Sequence, residues 1–182
     1  MDDSTRQRFN LARTAALALM SAAVTAACDG GAAPSAGECR TFRTTLSVND
    51  RMSQVAGTFN PGEPITFELQ IANTWIIPAK LVAGWSCEPV VFEVFDASKL
   101  PLWSSADGIV CLAILDTRTF SPLEVVTESS TWNQTSSGSI GVQVPSGDYT
   151  VTAHIAAYVP ASQGLVDCRP ELGQTTTTFR IL

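Results

Sequence analysis

The sequence from residue 40 onward predicts an all-β domain, on three observations. Short segments of about four to eight residues alternate apolar and polar side chains between turn residues, as half-buried strands do. No window in this region repeats apolar residues at the helical period of about 3.6. Residues 144–149, VPSGDY, fit the tyrosine corner of Greek-key sandwiches, in which the Tyr hydroxyl bonds upstream backbone. We therefore expect a Greek-key β-sandwich of roughly seven to nine strands, and the alternative for Tyr149 is a plain exposed side chain.

Each predicted strand is supported by its alternation or by the turns at its ends. Residues 65–71 follow an Asn-Pro-Gly-Glu turn and place their odd-numbered apolar residues on one face. Residues 90–95 alternate in the same way and end at an Asp-Ala-Ser-Lys turn, before a short partner strand at 100–103. Residues 149–155 follow a Pro-Ser-Gly-Asp turn, and residues 175–181 are rich in β-branched side chains. The weaker candidates are residues 44–48, 81–85, 123–132 and 140–144.

The first 27 residues predict an export signal. Three arginines precede an apolar block at residues 15–27, which ends in Ala-Ala before Cys28. This block has about 13 residues, whereas a membrane-spanning helix needs roughly 20. We expect a signal peptide at residues 1–27, a lipidated cysteine with a flexible Gly/Ala/Pro/Ser linker at 28–39, and one domain at 40–182.

Cys28 is the predicted site of lipid attachment, palmitate included, because small residues precede it as lipoprotein processing requires. Thr25 stands where lipoprotein signals usually carry Leu, so ordinary cleavage near Ala27 and a soluble secreted or periplasmic product form the alternative. An N-terminal helix of the fold is a further alternative. We expect a bacterial cell-envelope protein held at the periplasmic face or the cell surface, with covalent lipid as its only membrane link.

The charge of the mature chain disfavours nucleic acid as a partner. Without the first 27 residues, eight basic and fifteen acidic residues remain, which is a formal net charge of −7. No run of Lys and Arg occurs in this part of the sequence. An acidic surface repels phosphate backbones and anionic lipid headgroups.

Four cysteines follow Cys28, and an even number in an oxidising compartment indicates disulfides. Cys87 and Cys111 flank one strand-turn segment, so we predict that they pair. This leaves Cys39–Cys168, which would tie the start of the domain to a late loop. Free buried thiols are the alternative. No cofactor and no metal are expected, because the chain has no C-x-x-C pair and a single histidine.

The middle and end of the chain, about 90 to 100 residues, resemble the BsuPI-like family, named for an intracellular proteinase inhibitor of Bacillus. The matching pieces are residues 66–73 (TFELQIAN), 91–96 and 102–103 (VFEVFD and LW), and 145–153 (PSGDYTVTA). Two positions depart from the family pattern: Lys99 stands near an expected Gly, and Leu123 replaces the Gly of a Leu-x-Pro-Gly-Glu turn. The resemblance implies an immunoglobulin-like sandwich that binds a protease or another protein without doing chemistry. None of its motifs marks an inhibitory residue.

The titratable residues do not form a catalytic pattern in the sequence. In the predicted strand at 149–155, His154 lies on the face opposite Tyr149 and Ile155, as is typical of a solvent-facing residue. Glu68 and Glu93 alternate with apolar neighbours on the expected wet face of a sheet. The aspartates at predicted turns are Asp96, Asp107 and Asp148. We predict that the protein is not an enzyme.

Binding is the remaining class of function, and the tryptophans are its main signal. Trp103 matches a core position of the family, and Trp85 stands beside Cys87, where it would cover a disulfide. The partner-binding prediction is the apolar tip, which we define as Trp75, Ile76, Ile77 and Pro78, in a loop after a strand.

These features predict a non-catalytic, exported, lipid-anchored domain that binds a protein, with proteinase inhibition as the family label. A second recognition loop is expected at residues 104–119. The alternative is a module that binds carbohydrate or an envelope polymer through exposed tryptophans. The sequence has four after residue 27, which are Trp75, Trp85, Trp103 and Trp132.

Overall fold

The computed structural model describes residues 39–84, 88–110, 114–137, 141–162 and 164–182, and these are mostly β-strands. The signal peptide, the lipidation site Cys28, Trp85 and the predicted Cys87–Cys111 pair lie outside the described residues. The elements are a 3-10 helix (Cys39–Thr41), β1 (Phe42–Asn49), β2 (Thr58–Phe59), β3 (Ile65–Asn73), β4 (Ala79–Ala83), β5 (Val91–Phe95), β6 (Pro101–Ser104), β7 (Asp116–Phe120), β8 (Val125–Trp132), β9 (Gly147–His154), β10 (Tyr158–Ala161), β11 (Gly164–Asp167), the helix α1 (Arg169–Leu172) and β12 (Gln174–Ile181).

Two facing sheets form a sandwich. One has the order β1-β3-β8 and the other the order β2-β12-β9-β5-β6. Among the described pairings, all are antiparallel except that of β12 with β2. β1, β3 and β8 occupy the positions of strands A, B and E of an immunoglobulin domain, and β5, β9 and β12 those of C, F and G. The predicted all-β, immunoglobulin-like Greek-key sandwich is confirmed.

The core between the sheets is centred on Phe67 of β3. Its ring centroid lies 6.2 Å from that of Phe92, 5.9 Å from Trp103, 6.3 Å from Trp132 and 5.8 Å from Phe179. Strict alternation along β3 produces this arrangement, because every second side chain points between the sheets. Each aromatic pair contributes about 0.5–1.5 kcal/mol beyond the area that it buries.

A third sheet, with the order β11-β10-β4-β7, extends the sandwich at one end. The disulfide Cys39–Cys168 lies beside it, with both cysteines fully buried and their Cα atoms 5.3 Å apart. The pairing agrees with the sequence prediction, but Cys168 precedes the short helix α1 and Cys39 starts a 3-10 helix, and neither helix was predicted.

The sequence prediction misses several of the short strands. The described residues contain twelve strands rather than seven to nine. The predicted loop at 104–119 is wrong at its end, because β7 pairs with β4 from Asp116 to Phe120. The sequence of β7, DTRTF, has one apolar residue and therefore no alternation. β10 contains Pro160, which argues against a strand. Of the predicted strand at 140–144, the described part forms an isolated bridge at Gln143.

The tyrosine corner is present. Tyr149 is 4% exposed, and its hydroxyl donates a hydrogen bond to the carbonyl oxygen of Pro145. Burial, and secondarily the charge of Asp96, raises the pKa of Tyr149. The corner therefore fixes the chain where it turns into β9.

We predict that Tyr149→Phe lowers the free energy of unfolding by about 1–2 kcal/mol, because the carbonyl of Pro145 loses its donor. Urea unfolding of the purified protein measures this loss. Tyr158→Phe is the matched control, since Tyr158 is only half-buried. Equal losses for the two variants would contradict a specific role for the corner.

Candidate functional site

The apolar tip lies in a break within one long two-stranded ladder. The pairing of β3 with β8 ends at Ala72 and Val125, and the pairing of β4 with β7 starts at Ala79 and Phe120. Residues 73–78 on one side of the break face residues 121–124 on the other. The extra length on the β3 side gives the tip room to extend to solvent.

Asn73 holds the tip in place from inside. This side chain is 1% exposed, and its Nδ2 donates to the carbonyls of Ile77 at 3.0 Å and Ser121 at 2.9 Å. Its Oδ1 accepts a hydrogen bond from the backbone N–H of Trp75 at 3.0 Å. Its own N–H donates to the carbonyl of Glu124 at 2.9 Å. A buried amide with these partners satisfies backbone groups that the interrupted ladder leaves unpaired.

Thr74 joins the tip to the start of the domain. Its backbone N–H and its hydroxyl donate to the carbonyl of Thr41 at 2.7 Å and 2.9 Å. Thr41 ends the 3-10 helix that begins at the disulfide residue Cys39. The base of the tip is therefore attached to a covalently bridged segment.

The tip exposes apolar surface although its backbone is fixed. Trp75 is 45% exposed, Ile76 82% and Ile77 52%, and Pro78 is exposed as well. Leu123, from the opposite side of the break, adds a fifth apolar side chain at 62% exposure. The sequence predicts an exposed apolar loop at residues 75–78, and these exposures agree with it. Leu123 was not part of that prediction.

Leu123 has a backbone conformation that favours glycine. Its φ is 59°, in the left-handed region, and its N–H donates to the carbonyl of Trp75 at 3.0 Å. This conformation is one that Gly adopts without strain. A left-handed L-residue costs about 1–2 kcal/mol. The chain therefore keeps an exposed apolar side chain at a position where it lowers stability.

We predict that Leu123→Gly raises the free energy of unfolding by about 0.5–1 kcal/mol, because the relief of strain exceeds the entropy lost on ordering a glycine. Leu123→Ala is the matched control, since alanine removes the same exposed side chain but keeps the Cβ. Urea unfolding compares the three proteins. Equal changes for Gly and Ala would show that the conformation is not strained.

Two clefts flank the base of the tip and share Phe42 as a wall. The apolar cleft has a volume of about 290 Å³, and its lining includes Trp75, Ile77, Lys80 and Pro160. Its far wall comes from β10, a strand that the sequence does not reveal, so this cleft was not predicted.

The second, cationic cleft has a volume of about 380 Å³, and its lining includes Arg40, Arg43, Thr74 and Glu171, besides Phe42. No ion pair among the described residues joins Glu171 to either arginine. The sequence gives no sign of this cluster, because Glu171 is far along the chain and is brought here by the helix α1.

The tryptophans divide between core and surface. Trp132 is 1% exposed, and Trp103 packs against it with ring centroids 6.3 Å apart. Within the described part of the chain, Trp75 is therefore the only largely exposed indole. The described tryptophans therefore do not form a row of exposed rings, and Trp85 lies outside the described residues.

His154 and Asp96 lie where the sequence predicts, whereas Asp148 does not. His154 is on the outer face of β9, with its Nδ1 3.7 Å from Oε2 of Glu93 and its side chain 41% exposed. Asp96 Oδ1 accepts the N–H groups of Ser98 and Leu100, which is the turn role expected for it. The turn prediction is wrong for Asp148, which lies in β9 opposite Arg180 of β12. Its carboxylate accepts two hydrogen bonds from Arg180 at 2.6 and 2.7 Å, which lowers the pKa of the carboxyl. Within the described residues, no three or more His, Cys, Asp and Glu side chains come together as a group that could hold a metal ion.

In the described ranges, no helix has the length and hydropathy needed to cross a membrane.

No protein-family model and no curated protein sequence matches this chain. Several solved structures resemble it in backbone. The C-terminal domain of Wzt is 8% identical, with a TM-score of 0.42, over 76% of this chain and 73% of that one. A CARDB domain from Pyrococcus furiosus is 12% identical, with a TM-score of 0.35, over 76% and 89%. A β-glucosidase from Listeria innocua is 14% identical, with a TM-score of 0.37, over 76% and 16%. We transfer no function from these similarities, and the BsuPI-like resemblance stays a prediction.

Proposed function

We propose that this chain is a non-catalytic domain of a bacterial cell envelope, exported and held at a membrane by lipid on Cys28, which binds a protein through the apolar tip. The observation that carries the proposal is that the tip is exposed and yet held by Asn73 and Thr74. Exposed apolar groups in a contiguous patch are typical of interaction sites. A loop that is already ordered loses less entropy on binding.

A protease is the first candidate partner, because the BsuPI-like resemblance implies one. Protease–inhibitor complexes are mostly pre-organised, with little backbone movement on binding. The hydrogen bonds of Asn73 to both sides of the ladder break are consistent with such an interface. Trp75 would be the central anchor, since Trp is enriched among residues that dominate binding energy.

We predict that Cys28→Ser abolishes incorporation of labelled palmitate and leaves the chain uncleaved or moves it to the soluble fraction. In this proposal the lipid is attached to the sulfur atom of Cys28, so serine cannot replace it. Labelling and fractionation of cells that express either chain measure the result. Absence of label from the wild-type protein would reject the lipid anchor.

We predict that a photo-crosslinking residue at position 76 captures a protein in intact cells and that Trp75→Ala/Ile77→Ala abolishes the adduct. The matched control is the same residue at position 52, because Met52 is 69% exposed but follows the other end of β1. Adducts at both positions, or none at position 76, would contradict the proposal.

Inhibition assays of the wild-type chain against serine proteases and metalloproteases test whether it is a proteinase inhibitor, as the BsuPI-like resemblance implies. Uniform inactivity at micromolar concentration would reject that function.

A further inference from the structure

The charge around the apolar tip differs from the charge of the rest of the domain. Arg40, Arg43 and Lys80 are all exposed and line the two clefts at the base of the tip. Among the described residues, no ion pair involves any of these three side chains. They are three of the eight basic residues that follow residue 27 in a chain with a net charge of −7 there.

The acidic residues Glu124 and Glu171 form no ion pair with these cations among the described residues. The carboxylate of Glu124 accepts a hydrogen bond from the backbone N–H of Ser121 at 2.6 Å. Glu171 lines the cationic cleft together with two arginines. The lining of that cleft therefore carries a formal excess of one positive charge, whereas the adjoining cleft is mainly apolar around Lys80.

We infer that the partner presents an extended segment in which an apolar side chain is followed or preceded closely by carboxylates. The apolar side chain would occupy the cleft beside Trp75, and the carboxylates would contact Arg40 and Arg43. Guanidinium groups suit this role, because they bind carboxylates through two parallel hydrogen bonds. This inference rests on the proposed function and specifies the chemistry of its partner.

The shape of the surface favours a peptide segment over a membrane. Two concave clefts separated by Phe42 can each accept one side chain. The acidic charge of the whole domain opposes contact with anionic headgroups. The segment fits the surface as a short extended strand whose neighbouring side chains enter the two clefts.

The test measures binding of fluorescent ten-residue peptides to the full chain purified in detergent. One panel carries a Leu, Phe or Trp within three residues of an Asp/Glu pair, and a matched panel has Lys in place of the acids. We expect binding from the acidic panel only. We expect the affinity of its best member to fall about tenfold in Arg40→Glu/Arg43→Glu, and also in Trp75→Ala/Ile77→Ala.

The control is Arg51→Glu/Lys99→Glu, which reverses two exposed cations that form no ion pair with a described residue and lie away from the two clefts. It should bind the best peptide as the wild type does. Equal binding of both panels, binding of neither, or an equal loss in the control would overturn the inference. Quenching of a fluorophore at position 76, but not at position 52, by brominated lipid in phosphatidylcholine–phosphatidylglycerol vesicles would identify a lipid surface instead and overturn it too. If the adduct at position 76 persists in cells while charge reversal has no effect, the inference fails and the proposed function stands.

Discussion

The distinctive end of this molecule depends on the side-chain amide of Asn73. A ladder that stops in the interior exposes backbone N–H and C=O groups to a region without water, and each unpaired group costs about 1–3 kcal/mol. Asn73 offers donors and an acceptor at one point and bonds both sides of the break. Because one buried side chain satisfies the backbone, the residues beyond it are free to carry an apolar surface into solvent.

A second buried amide, that of Gln134, stabilises the turn at residues 60–63. Gln134 is fully buried, and its Nε2 donates to the carbonyls of Asn60 and Glu63, both at 2.8 Å. Its Oε1 accepts the N–H of Gly62 at 2.9 Å. In both places a single buried Asn or Gln side chain bonds backbone groups that are not paired in a β-ladder.

The sequence predicts the elements that have a strong alternation and misses those that depend on contacts distant in sequence. β3, β5, β9 and β12 alternate or follow strong turn signals, so the two main sheets could be expected. β7 has one apolar residue, and it is a strand because β4 supplies its hydrogen bonds. The apolar tip can be predicted from the sequence, because it is an apolar loop among polar residues. The two clefts cannot be predicted, because their walls, which include Arg40, Pro160 and Glu171, are assembled only on folding.

The Cys39–Cys168 bridge has a mechanical consequence. A pull on the chain ahead of Cys39 would reach the domain at a residue that is covalently joined to another 129 positions away. Tension would therefore pass through the bridge to the far end of the chain, and the hydrogen bonds between β1 and β3 would bear less of it. Since Thr74 donates hydrogen bonds to Thr41 just beyond that junction, the apolar tip would keep its shape while the chain is under tension.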